Sequence, residues 1–129
     1  MYHEIVLIGY VGHDPAQSQT KDGTEISTFS VGVKNYADRD ATVWFKVSVF
    51  GIPAECANLN IRAGSLVLIC GKLKADLQTG APPLWQRKDG SYGTSFEVYA
   101  RSLLKLADPK GKNGENYADN DEDYSDIPF

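Results

Sequence analysis

Side chains alternate along an extended chain, so the stretch from Val43 to Phe50 divides into two faces. Val43, Phe45, Val47 and Val49 share one, an ordinary core face. Trp44, Lys46, Ser48 and Phe50 share the other, where two large aromatics flank a lysine. An upstream run repeats the division. Phe29, Val31 and Val33 point inward; Ser30, Gly32 and Lys34 point outward, with Tyr36 just beyond. Gly32 leaves the outer face open to something flat. Aromatic rings offer π-surfaces to nucleobases, and lysines offer charge to phosphates. Tyr36, Trp44 and Phe50 with Lys34 and Lys46 therefore suit a single nucleic-acid strand bound without sequence choice. The competing reading packs Trp44 and Phe50 under a loop or against a neighbouring subunit.

A second group lies in residues 75–93, a stretch long for a hairpin, with a turn signal at Asp89-Gly90. Trp85, Arg87, Lys88 and Tyr92 near its tip would extend the same groove, and Lys72 and Lys74 alternate outward toward it. The rival is an ordinary solvated hairpin with its tryptophan lying on the body. Other chemistry is thin. The chain has no glycine-rich phosphate loop, no metal-ligand spacing and no nucleophile–base set, so no enzyme, cofactor or metal is expected. His13-Asp14 precedes Pro15 at a turn and reads as surface. Cys56 and Cys70 read as small buried hydrophobes in a reducing compartment.

Gly and Pro cut residues 1–107 into five extended runs: 2–11, 24–34, 41–50, 65–75 and 94–104. One short helix fits at 53–60, with Pro53 near its first turn. Five strands with a helix between the third and fourth is the order of the OB-fold. That all-β, five-stranded barrel binds oligonucleotides on its second and third strands. The first run is apolar on both sides, Ile5 and Leu7 against Val6 and Ile8. The fourth is too, Leu66 and Leu68 against Val67 and Ile69. A barrel has one interior, so the second apolar face needs a cover. Self-association supplies the simplest one, and burial under the long hairpin is the alternative.

A chain of 129 residues, 42% hydrophobic and 23% charged, is one soluble-type domain with little left over. No apolar run approaches the ~18 residues of a membrane helix. The N-terminus lacks a basic region followed by an apolar stretch, and a cytoplasmic location is expected. The net charge of −4 hides two compartments. Residues 1–107 are near neutral. Residues 108–129 hold seven acids against two lysines, with no apolar periodicity. Such a segment buries too little surface to offset its ordering entropy, so a disordered acidic tail is expected. Residues 108–118 read as a linker and 119–129 as an acidic tip. The last four residues, Asp126, Ile127, Pro128 and Phe129, read as a peptide that docks Phe129 in an apolar pocket ringed by basic groups. The charge division also raises the prospect that the tail competes with a ligand for the basic face.

These residues together resemble the bacterial single-stranded DNA-binding protein family. IVLIGYVGHDP at 5–15, WFKVSVFG at 44–51 and GSLVLICGKL at 64–73 are similar to its first, third and fourth strands. The Asp-Ile-Pro-Phe ending is similar to its acidic tip. The resemblance covers 4–106 and about the last ten residues. It implies an OB-fold, a homotetramer, and single-stranded DNA protected during replication, recombination and repair. It also implies partner enzymes recruited by the tip. Stacking roles carry over onto Trp44, Phe50 and Trp85, and Tyr36 stands where the family often has a tryptophan. Lys46 falls at a family basic position. Lys34, Lys72, Lys74, Arg87 and Lys88 are assigned to phosphates from the strand pattern. The chain departs from the family in its short loop at 35–42, its long insertion at 75–84 and its brief linker. An RNA-binding OB module and a protein-assembly module remain as alternatives, since stacking is indifferent to the sugar.

Overall fold

The computed structural model describes residues 1–35, 37 and 40–109. The strands that Gly and Pro delimit form as expected: β1 (Ile5–Val11), β3 (Glu25–Lys34), β4 (Thr42–Phe50), β5 (Leu66–Lys74) and β8 (Phe96–Ala107). They close a barrel in the order β1-β5-β8-β4-β3, sealed by β1–β3 pairing at Tyr10↔Gly32 and Val11↔Val31. β4 and β8 run parallel, from Phe45↔Phe96 to Val49↔Ala100; the other barrel pairs are antiparallel. The interior is filled by the β-branched and aromatic residues of the inward period. Phe29, Val31, Val47, Val49, Val67, Ile69 and Val98 are all buried. Burial of each such side chain contributes about 1.5–3 kcal/mol, which holds the two-residue register in place.

Gly71 marks a crossing point of strands. A Cβ there would sit 2.1 Å from the Tyr99 carbonyl oxygen, so β5 and β8 approach as closely as they do only because that position is bare. The pairing of β5 with β8 also shifts between Cys70 and Gly71. Such a bulge bends the strand at the barrel's corner.

The helix α1 (Ile52–Asn60) follows β4 through Gly51, whose φ of 76° lies in the left-handed region that favours glycine. Pro53 sits in its first turn, where its missing N–H leaves no intrahelical bond unmade. Ala54 and Ala57 of α1 and the following Ile61 are buried in the core and plug one end of the barrel. Asp14 pins the loop beyond, its Oδ1 accepting the Ala63 N–H at 2.9 Å.

Three short strands add to the barrel; β2 (Ala16–Gln19) was not expected, while β6 (Leu84–Gln86) and β7 (Tyr92–Thr94) are the arms of the hairpin read in residues 75–93. β2 pairs with the outer edge of β3 across a turn at Asp22-Gly23. β6 and β7 form a separate two-stranded sheet between β5 and β8. That hairpin does not bury the second apolar face, for Val6 and Leu104 remain each 56% exposed. The cysteines also depart from expectation. Cys56 is exposed on α1, whose buried face belongs to its alanines, and Cys70 is half-buried on the outer side of β5. Leu66 is buried, so β5 is less two-faced than its alternation indicates. The linker beyond 109 and the acidic tip lie outside the described residues.

Candidate nucleic-acid interface

Pairing of β3 with β4 brings the expected outer residues onto one face. Lys34 stands opposite Thr42, Gly32 opposite Trp44, Ser30 opposite Lys46 and Ile26 opposite Phe50. Phe50 and Trp44 are exposed, and Lys34 and Lys46 point to solvent beside them. Tyr36 lies outside the described residues.

The Trp44 indole is seated rather than free. It lies across Gly32 of β3 and Gly12 at the end of β1. A Cβ at Gly32 would meet its Cη2 and Cζ3 at 2.9 Å, and one at Gly12 would meet Cζ3 at 2.8 Å. Gly32 therefore does not leave the face open, as its bare Cα indicates in the sequence. The flat group that approaches its backbone is the protein's own tryptophan. The packing fixes the indole while 52% of the residue stays accessible. That is the arrangement a stacking platform needs, since ring immobilisation is already complete before a ligand arrives.

The face continues across β8 and β5. Parallel pairing sets Glu97 beside Lys46 and Tyr99 beside Ser48. Tyr99 lies next to Phe50, with ring centroids 5.8 Å apart and planes tilted by 56°. On its other side, Lys74 places Nζ 5.6 Å from the Tyr99 ring centre and 3.7 Å from Glu97. Tyr99, and to a lesser degree Glu97, hold the Lys74 ammonium above its ordinary value. Lys72 lies over the Tyr2 ring at 5.2 Å. Trp44, Phe50 and Tyr99 thus alternate with Lys34, Lys46, Lys72 and Lys74, and Glu97 is the acid among them. Tyr99 was missed in the sequence. Alternation within the fifth run, Val98 and Ala100 in and Glu97 and Tyr99 out, carries the signal.

The hairpin separates its candidates. Trp85 pairs with Gly93, and Gln86 with Tyr92, so the tryptophan and Tyr92 occupy opposite faces of the ribbon. Arg87 is engaged within the hairpin. It donates to the Tyr92 carbonyl at 2.7 Å, and its guanidinium crosses the bare Cα of Gly93 beside the Trp85 indole. Trp85 remains half-open and Lys88 is exposed at the tip. The tip is closed by Gly90 at φ 90° and by Asp89, whose Oδ1 accepts from the Ser91 N–H and hydroxyl. Asp126, Ile127, Pro128 and Phe129 lie outside the described residues.

Residues 2–106 match the model of the single-strand binding protein family. Over 99% of its length the chain is 28% identical to a single-stranded DNA-binding protein of Thermotoga maritima, of which it covers 93%. It is 31% identical to one of Xylella fastidiosa over 81% of its length, and 27% identical to single-stranded DNA-binding protein 1 of Synechocystis over 88%. It covers 63% of the Xylella protein and 89% of the Synechocystis one. Against the Xanthomonas axonopodis relative it spans 57% of the length, so some relatives are much longer.

Proposed function

The chain belongs to the single-strand binding protein family, and from that premise we propose that its barrel binds single-stranded DNA without sequence preference. Bases stack on Trp44, Phe50, Tyr99 and Trp85, and Tyr36 is assigned to the same role from the sequence. Lys34, Lys46, Lys72, Lys74 and Lys88 neutralise phosphates and release counterions, while Arg87 acts chiefly by holding the hairpin beside Trp85. The observation that carries this reading is the Trp44 indole, packed on two glycines on one side and open on the other. A residue buried for stability alone has no reason to leave so much aromatic surface in water at the head of a lysine-lined row. Titration with oligo(dT), oligo(U) and duplex DNA tests it. Strong binding of oligo(dT) with weaker binding of the other two is expected. Equal binding of oligo(U) would turn the reading to RNA.

Two further roles complete the proposal. Copies of the chain assemble, as a homotetramer, through the outer apolar side of β1, β5 and β8, where Val6, Ile8 and Leu104 lie exposed. The terminal Asp126-Ile127-Pro128-Phe129 recruits enzymes of replication, recombination and repair to the bound strand, without catalysis by this chain. Removing Phe129 should abolish partner binding and spare DNA binding. Retained partner binding would refute the docking role.

A further inference from the structure

Glu97 carries a negative charge onto a face of lysines and aromatic rings, and its place there is central. Parallel pairing sets it opposite Lys46 of β4, and antiparallel pairing sets it opposite Lys74 of β5. Neighbouring strands lie about 4.8 Å apart, so the backbones of the two lysines stand about 10 Å apart with the acid midway. Two positions along β8, on the same side, Tyr99 carries the ring that lies beside Phe50. Glu97 therefore has a lysine on either hand across the sheet and a stacking ring next to it along the strand.

The carboxylate is recessed and held in place. Its side chain is 14% exposed, against 41% for Lys74. Oε1 lies 3.7 Å from Lys74 Nζ, and Oε2 accepts from the Ser95 hydroxyl at 3.4 Å. Lys46 is exposed and has the longer stem, so its ammonium can serve the rim of the face while the carboxylate stays at the floor. Stability does not account for the acid, because a surface pair such as Lys74–Glu97 contributes little. Nor does Lys74 depend on it for position, since the Tyr99 ring engages the same ammonium from its other side.

An acid in the middle of a phosphate-binding row costs affinity, and the cost depends on depth. In bulk water a like charge at 4 Å weakens binding about fivefold, and beyond about 8 Å salt screens most of the effect. A strand whose bases stack on Trp44 and on the Phe50–Tyr99 pair fills the floor with uncharged rings and carries its phosphates at the rim. A polyanion without free bases has only its anionic groups to bring to the floor, where they meet the carboxylate. Lysines alone would hold either ligand, because phosphate neutralisation is indifferent to bases.

We propose that Glu97 is a specificity-determining residue of this face: its carboxylate keeps phosphates off the floor between Lys46 and Lys74, so that strands with free bases are selected over base-free or base-paired polyanions. The inference rests on the single-strand reading above and adds what the face rejects.

Competition on the full chain tests the proposal. Labelled oligo(dT) is displaced at low salt by unlabelled oligo(dT), by duplex DNA of matched length or by inorganic polyphosphate. In Glu97→Gln, a nearly isosteric change, polyphosphate and duplex should gain at least about fivefold in affinity relative to oligo(dT). The relative gain should shrink as salt rises. Glu97→Asp keeps the charge and should keep the selectivity of the unaltered chain. Glu97→Gln should produce the same relative gain in a Lys74→Gln background, because the carboxylate acts on the ligand itself. Equal changes for all three ligands would overturn the proposal. So would a gain that vanishes in the Lys74→Gln background, which would reduce Glu97 to a tether for that lysine. Selectivity lost equally in Glu97→Asp would overturn it too, in favour of packing. Each of these results leaves the DNA-binding reading standing, whereas an unaltered chain that fails to bind oligo(dT) would overturn both.

Discussion

At the scale of single residues, function turns on what holds Trp44. Trp44→Ala should weaken single-stranded DNA binding by about 1–3 kcal/mol, the usual worth of one stacked base. A thermal melt of the same variant should move little, because half of the side chain is already in water. Gly32→Ala is the sharper experiment. Its Cβ would lie 2.9 Å from two indole carbons and 3.0 Å from the Thr42 methyl, so the ring must shift off its seat. Affinity should fall as it does for Trp44→Ala even though every aromatic remains, and an unchanged oligo(dT) affinity would show that seating is irrelevant. The outward set of Trp44, Lys46 and Phe50 was legible in the sequence because alternation needs only one strand. The role of Gly32 was not, because the group above it comes from β4. That fact depends on register, which no local pattern encodes. Tyr99 escaped for a related reason, since its place beside Phe50 comes from parallel pairing between strands separated by a helix and β5.

At the scale of elements, the barrel follows from the period-two pattern and the Gly and Pro punctuation, and it was legible nearly strand for strand. What sequence could not supply was β2, whose Ala-Gln-Ser-Gln has little strand propensity and is held by its turn to β3. Asp22 organises that turn, accepting hydrogen bonds from the Thr20 hydroxyl and from the Thr24 hydroxyl and N–H. The Thr20 and Thr24 bonds hold its carboxyl below the ordinary 3.8. A depressed carboxylate contributes stability that is present above its unfolded value and lost as pH falls through its folded one. Protection of β2 amides, relative to the intrinsic exchange rate at each pH, should therefore fall on acidification below about pH 4, and Asp22→Asn should flatten that response. An identical pH response in the variant would assign the effect elsewhere. Gly71→Ala tests the barrel corner. A Cβ 2.1 Å from a carbonyl oxygen cannot be absorbed by a rotamer change, so the midpoint of unfolding should drop sharply.

At the scale of the whole molecule, residues 1–107 are near neutral, four of their seven lysines lie on the aromatic face, and residues 108–129 hold seven acids against two lysines. Association with DNA should therefore be strongly salt-dependent despite the net charge of −4. The outer side of β1, β5 and β8 should govern assembly independently. Val6→Glu/Ile8→Glu should lower the sedimenting mass at micromolar concentration, and an unchanged mass would remove that face from assembly. Stacking on Trp44 is read directly by fluorescence of the full chain carrying Trp85→Phe, which leaves Trp44 as the only tryptophan. Oligo(dT) should quench this emission strongly, and log affinity should fall linearly with log salt, at about −0.7 for each phosphate neutralised. Tight binding with Trp44 emission unmoved would contradict that stacking, for the strand would then lie somewhere other than on the seated indole.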